Sequence, residues 1–439
     1  MKGGHFMNPR QITAAALLQV ERQGAYSNLT LEPFFARESP SPQDRAFASA
    51  LFYGVLERQI TLDWHLSHYS KTPIAKLDPL PRAALRLGAL QLMFFPSVPP
   101  AAAVSQSVDL TRALGAPRAA GFVNGVLRQM ARQGCAAPPP KDKLTALSVE
   151  YSVPAPLIQL WRKAYGHQNA LQILQGSRGP APVFVRVNTV HTTLPALRAR
   201  LTQEGIPSQP VPGVPDALLL PDPGRVDAIP AFRDGLFHVQ DISSQLCAAA
   251  LDPRPGMDVL DLCAAPGGKT FTIAQRMANQ GRILARDLHP HRLRLVEEGA
   301  ARLGLTCIET APGDAREFAP ALAERFHRVL CDVVCSGFGT LRRKPEIRYK
   351  PLESIAGLPE LQYGILATAA RYLKPGGRLV YSTCTLNPAE NEAVVERFLA
   401  EHPDFAPAAP PRTYINGQDG LDCDGFFTAP LQRREEVSP

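Results

Sequence analysis

Val259-Leu260-Asp261-Leu262-Cys263-Ala264-Ala265-Pro266-Gly267-Gly268-Lys269-Thr270 reads as the end of a strand, a turn of small residues and the start of a helix. Adjacent glycines let the backbone turn tightly and let a bound molecule come close to the N–H groups of the turn. The next apolar run, Arg282-Ile283-Leu284-Ala285, is strand-like, and Asp287 follows it 19 residues after Gly268. A carboxylate at that point can hold a ribose hydroxyl.

Three ligands compete for such a turn. A triphosphate-binding loop needs a glycine where Cys263 stands, and the dinucleotide pattern G-x-G-x-x-G is absent. S-adenosylmethionine fits better, because it carries ribose and adenine without a phosphate and calls for carboxylates. A tight turn with no ligand is the plain alternative.

Outward from this turn, short apolar runs alternate with helical stretches. The runs are Val183–Val187, Val259-Leu260, 282–285, 306–308, 329–331 and 378–381. Helices are expected near 270–278, 290–303, 316–324, 358–373 and 388–401. Alternation of this kind predicts an α/β domain with a mostly parallel sheet covered on both faces, Rossmann-like in kind.

Residues before 137 show helical periodicity and no competing strand alternation. Asn8-Pro9 and Ser41-Pro42 are helix starts, and Leu85, Leu87, Leu90, Leu92 and Phe94 suit the centre of a bundle. A proline-rich stretch, 136–143, reads as a linker. The predicted organisation is an all-α domain over 1–137, a helical connector over 138–180 and the α/β domain over 181–439.

Composition narrows the function classes. Apolar residues at 45% and charged residues at 20% exclude general disorder. The most apolar stretch, Ala83 to Phe95, is shorter than a membrane span and contains Arg86. Met1-Lys2-Gly3-Gly4-His5 opens no apolar leader, so a cytoplasmic location is expected, with no membrane partner. The eight cysteines form no paired CxxC motifs, so neither a disulfide scaffold nor a metal is expected. Residues 1–150 hold 16 basic against 10 acidic side chains, which is +6 of the net +7. That asymmetry points to a polyanion such as RNA.

Two later runs end at cysteines, Cys331-Asp332-Val333-Val334-Cys335-Ser336-Gly337 and Tyr381-Ser382-Thr383-Cys384-Thr385. Strand carboxyl ends face the ligand crevice of a doubly wound sheet, so Cys335 and Cys384 are expected to share one pocket with the cofactor.

With these cysteine loops and the 261–270 turn, the chain resembles the Nop/Sun family of RNA 5-methylcytosine methyltransferases. The resemblance extends to Arg186-Val187-Asn188-Thr189, Val239-Gln240-Asp241 with Ser243-Ser244-Gln245, 387–392 and Asp424-Gly425-Phe426-Phe427. Asp44-Arg45, Tyr53-Gly54, 87–92 and Gly121–Arg128 resemble the NusB-like RNA-binding domain fused to the bacterial ribosomal member.

The resemblance implies methyl transfer from S-adenosylmethionine to C5 of a cytosine in small-subunit (16S) ribosomal RNA; a monomer is expected. It implies Cys384 as nucleophile, Cys335 as the residue assisting release, Asp332 on the base edge and Lys269 beside the reacting atoms. Cys263, Ala264, Ala265, Pro266, Gly267, Gly268, Lys269, Asp287, Asp314 and Asp332 would surround the cofactor, with Asp314 on the adenine amino group. Arg186, Arg342, Arg343, Lys344 and Arg348 would meet RNA.

Three sites depart from the family pattern. Val333-Val334 replaces the usual Ala-Pro before Cys335, Ile242 replaces an acidic residue, and Gln106 stands where Glu is common. The first departure motivates the alternative of a non-catalytic ribosome assembly factor. A DNA or small-molecule methyltransferase is a third reading.

Overall fold

The computed structural model describes residues 7–23, 27–135 and 137–435. Ala136 of the predicted linker, and the first residues read for a leader, lie outside that range. The chain forms two compact units, one of residues 1–163, 177–179 and 341–350, the other of 164–176, 180–340 and 351–439.

The first unit is helical, over Pro9–Gln23, Ser27–Glu38, Pro42–Glu57, Gln59–Ser67, Pro79–Phe94, Pro100–Ala113, Ala120–Gln133 and Lys143–Tyr151. Side chains and prolines set where these helices begin. Ser41 Oγ accepts from Asp44 N ahead of Pro42, and Asp142 accepts from Thr145 N. The predicted central helix is buried through Leu85, Leu87 and Leu90 against Ile12, Leu51, Phe52, Val123 and Leu127. Burial of this kind supplies most of the stability of such helices.

The segment 341–350 belongs to this unit although its sequence neighbours do not. The reason is Arg348, fully buried, which donates to the carbonyls of Glu57 (3.0 Å), Tyr151 (3.2 Å), Ser177 (3.1 Å) and Leu341 (3.2 Å). Tyr349 adds a bond from Gln59 N and one shared with Ser152 Oγ.

The second unit holds two sheets. The smaller is antiparallel, formed by β1 (Val183–Val187), β2 (Gln209–Pro210), β3 (Ala217–Leu220) and β4 (Phe237–Val239), in the order β2-β3-β1-β4. The larger contains β5 (Asp258–Asp261), β6 (Arg282–Asp287), β7 (Ile308–Pro312), β8 (Phe326–Asp332) and β9 (Leu373–Thr383). These five are parallel in the order β9-β8-β5-β6-β7. An antiparallel edge follows, β12 (Phe426–Arg433) on β9, with β10 (Phe405–Pro407) and β11 (Arg412–Tyr414) on β12.

Successive strand residues go to opposite cores. Val259, Ile283, Leu330 and Val380 join one apolar cluster, while Leu260, Leu284, Val329 and Leu379 join another. Both faces are therefore covered, which is why these strands read as continuous apolar runs. The strand order reverses between β5 and β8, and a crevice opens beyond the carboxyl ends there.

One predicted helix is absent. Residues 316–324 form only a 3-10 turn, Pro320–Leu322. Pro320 has no N–H to donate and pushes the residue before it out of helical geometry. No described helix is long and apolar enough to cross a membrane.

Candidate active site

Five strand ends deliver the polar groups of the crevice. Asp261 closes β5, Asp287 closes β6, Asp314 follows β7, Asp332 closes β8 and Cys384 follows β9.

The turn after β5 wraps its own backbone. Ala264 N donates to Arg286 O (2.8 Å), and Gly267 N to Ala264 O (2.8 Å). Gly267 has φ 109°, and a Cβ there would lie 2.4 Å from the Phe271 ring, so glycine is required. Asp287 is buried and accepts from Ala265 N (3.3 Å) and His289 N (3.1 Å). Arg292 joins turn and carboxylate, contacting Asp287 at 3.3 Å and Ala265 O at 2.8 Å. No sequence signal marked Arg292 beyond its place in the first turn of the Pro290–Arg302 helix. Asp314 binds Arg316 through both oxygens, and that bond holds its carboxyl below the usual range. Cys263, at the start of the turn, is pushed well up by burial and then by Asp261, so it stays a neutral thiol.

The donor set suits a nucleoside bearing an amino acid. Asp287, Asp314 and Asp332 each pair with one cation, Arg292, Arg316 and Lys269, so the crevice carries no excess positive charge to hold a phosphate. Gln240 Nε2 is a buried donor without a partner, and a Cβ on Gly268 would lie 3.8 Å from it. The helix Gly268–Arg276 begins at Gly267 with no side-chain cap and no acid in its first turn. These orphaned donors fit the carboxylate end of S-adenosylmethionine.

At the far side of the crevice, Asp332 Oδ2 accepts from Lys269 Nζ (2.7 Å) and Oδ1 from Ser382 Oγ (2.8 Å). Burial opposes the Lys269 charge, yet Asp332 outweighs it, and the ammonium is held more firmly than usual. Lys269 also sits 4.9 Å from the centre of the Phe426 ring, and its charge is felt at Cys384. Asp261 accepts from Thr270 Oγ1 (2.7 Å); burial pushes it up to about 7.

Cys335 Sγ and Cys384 Sγ stand 3.3 Å apart. The contact with Cys384, then burial, raises Cys335 well above an ordinary thiol, so Cys335 is held in its protonated form. Two glycines allow this approach of loops. Gly339 N donates to Cys384 O (3.0 Å), and a Cβ on Gly339 would lie 1.8 Å from Gly425 O.

Cys335, Cys384, Asp332 and Lys269 thus come together, and the 263–269 turn, Asp287 and Asp314 line the same strand ends. Two arginines expected at RNA do not reach a surface. Arg348 is committed to four carbonyls as described. Arg186 is 4% exposed, bonded to Gln275 Oε1 (3.1 Å) and 3.6 Å from Asp216. Burial, the largest influence on each, lowers both guanidinium groups. Arg342, Arg343 and Lys344 lie half-buried in the helical unit.

Comparison with known proteins identifies the family. Residues 248–430 match the family described as 16S rRNA methyltransferase RsmB/F. Residues 7–132 match the NusB family, and residues 153–227 match the ferredoxin-like domain of RsmF/B-like methyltransferases. The chain is 39% identical to a Bacillus subtilis (strain 168) protein named probable ribosomal RNA small subunit methyltransferase B, over 97% of this chain and 98% of that one. A Synechocystis protein of the same name is 36% identical over 96% of each chain. Among solved structures, PH0851 is 26% identical with a TM-score of 0.83, covering 97% of this chain and 99% of that one.

Proposed function

The chain belongs to the 16S rRNA methyltransferase RsmB/F family, and from that premise we propose that it methylates C5 of a cytosine in small-subunit ribosomal RNA through a covalent Cys384–C6 adduct. The cofactor of the family is S-adenosylmethionine, which when bound supplies an electrophilic methyl group on a sulfonium.

The observation that carries the reading is the sulfur pair beside the Lys269–Asp332 ion pair. Cytosine C5 is a weak nucleophile. Addition of the Cys384 sulfur at C6 forms an S–C6 bond and makes C5 enamine-like. Asp332, fixed by Lys269 and Ser382, orients the ring edge by accepting from the N4 amino group, and the Lys269 ammonium offsets the negative charge that the thiolate brings in. Lys269 balances the acidic surroundings. In the release step a base takes the C5 proton while Cys335 assists departure of the product; the C5–H electron pair forms the C5–C6 double bond, the S–C6 bond breaks, and its pair returns to the Cys384 sulfur. Asp287 is suited to the ribose hydroxyls and Asp314 to the adenine amino group.

The alternative of a non-catalytic assembly factor rested on Val333-Val334. Gln362 Nε2 bonds Val334 O at 3.0 Å, so this loop is anchored without proline. For RNA contact, Arg342, Arg343 and Lys344 remain suitable, together with the basic excess of residues 1–150.

The test is labelling of unmodified small-subunit RNA with tritiated S-adenosylmethionine. Label is expected at cytosine C5, and none from Cys384→Ala. Full activity in Cys384→Ala would overturn the proposal. Cys335→Ala is expected to accumulate a protein–RNA adduct that survives denaturation.

A further inference from the structure

Glu390 lies fully buried between β9 and the Glu392–Glu401 helix, and its carboxylate is spent on the segments that follow the two sulfurs. Oε1 accepts from Ser336 Oγ (2.6 Å) and Asn387 Nδ2 (2.8 Å), and Oε2 from Ser336 N (2.8 Å) and Gln362 Nε2 (3.0 Å). Ser336 follows Cys335. Gln362 also holds the carbonyl of Val334, the residue before Cys335. The peptide carrying Cys335 is therefore gripped on both sides through one carboxylate and one amide.

The next residue does the same for the other sulfur. Asn391 Oδ1 accepts from Thr383 Oγ1 (2.5 Å), and Asn391 Nδ2 donates to Thr385 O (3.0 Å). Thr383 and Thr385 flank Cys384. Tyr381 Oη donates to the backbone oxygen of Glu390 (2.6 Å), and Ser336 Oγ meets Thr385 Oγ1 at 2.6 Å. A single dipeptide thus binds the neighbours of Cys335 with one side chain and the neighbours of Cys384 with the other.

We infer that Glu390 and Asn391 are positioning residues that set the 3.3 Å separation of the two sulfurs. The inference rests on the roles proposed above for Cys384 and Cys335. Neither residue reaches the ring. Their effect is to keep Cys335 where it can act on the adduct once Cys384 has added. This also explains how the Cys335 loop keeps its place with Val334 where the family has proline.

The experiment compares Glu390→Gln with wild type in the full-length protein. Glutamine brings an NH2 group to a site where four donors need acceptors, so one side of the grip is lost. Displacement of a reacting group by about 1 Å costs roughly 10²-fold in rate, and turnover is expected to fall by that order. Affinity for S-adenosylmethionine is expected to stay unchanged, because the turn and Asp287 are not involved. The protein–RNA adduct is expected to accumulate, which a loss of folding would not cause.

Wild-type turnover in Glu390→Gln, or lost turnover with no rise in adduct, would overturn the inference. Should that variant fail to bind the cofactor, Gln362→Met decides, since it removes two of the bonds and leaves the carboxylate. It is expected to show a smaller loss, with adduct, and wild-type turnover there would equally overturn the proposal. Cys384→Ala and Cys335→Ala run alongside. If these controls fail, the underlying chemistry is wrong; if they behave and the Glu390 variant is silent, the positioning role alone is wrong.

Discussion

Replacing Arg348 by methionine separates a structural arginine from one that meets RNA. The guanidinium satisfies four carbonyls, those of Glu57, Tyr151, Ser177 and Leu341, at 3.0–3.2 Å. A buried carbonyl left without its donor costs about 1 kcal/mol at the low end, so four lost bonds amount to about 4 kcal/mol. Burial already disfavours the guanidinium charge, and the methionine side chain regains some apolar contact. These offsets leave a net loss of about 3 kcal/mol. For a unit of this size each kcal/mol moves the midpoint by about 2–4 °C, so Tm should fall by roughly 6–12 °C. Calorimetry of the full chain reads the shift, and salt-dependent binding to small-subunit RNA reads the other role. A variant that keeps its Tm but loses RNA affinity would refute the reasoning, because the side chain would then be facing phosphates.

Three further outcomes follow from the site. Asp261 sits at about 7 when folded and near 3.9 when unfolded, so the native state holds an extra proton between those values. Its contribution is greatest below about pH 4 and is lost as pH rises to about 7, by at most about 4 kcal/mol. Denaturant titrations should show Asp261→Asn flattening that slope, and an unchanged slope would rule the assignment out. Lys269→Met removes the cation that fixes Asp332 through Oδ2, and turnover should fall on the order of 10²-fold. Wild-type turnover in that variant would count against the Lys269–Asp332 pairing. In Gly339→Ala the added methyl meets the Gly425 carbonyl, so the two backbones must part. A stability loss of about 3 kcal/mol by thermal melting, with most activity gone, is expected; wild-type activity would contradict the packing.

Much of the methyltransferase unit was legible because its signals are local. The run 259–270 carries its strand, turn and helix start in twelve residues, and both cysteines sit directly after apolar runs. Asp287 and Asp332 end strands and Asp314 follows one, so the strand pattern places them too. The small sheet was visible only at β1, since β2 to β4 have two to four residues each, too few to show a period. Expecting a helix over 316–324 gave apolar spacing more weight than Pro320. Arg348 and Arg186 looked like surface cations because nothing near them in sequence reveals their partners. Arg348 draws on carbonyls from residues 57 to 341, a set that only the tertiary fold assembles. Glu390 and Asn391 stood inside a quoted motif, yet their grip on two loops at once depends on β8 and β9 being neighbours.

The capture of 341–350 by the helical unit has a consequence for synthesis. Every earlier piece of that unit has been translated by residue 179, yet its last buried arginine is encoded roughly 170 residues later. At about 5–20 residues per second, the gap is on the order of 10–35 s. During that interval the nascent bundle exposes carbonyls that water must satisfy. It reaches its final form only after β5 to β8 have been translated, so the half made first is completed late.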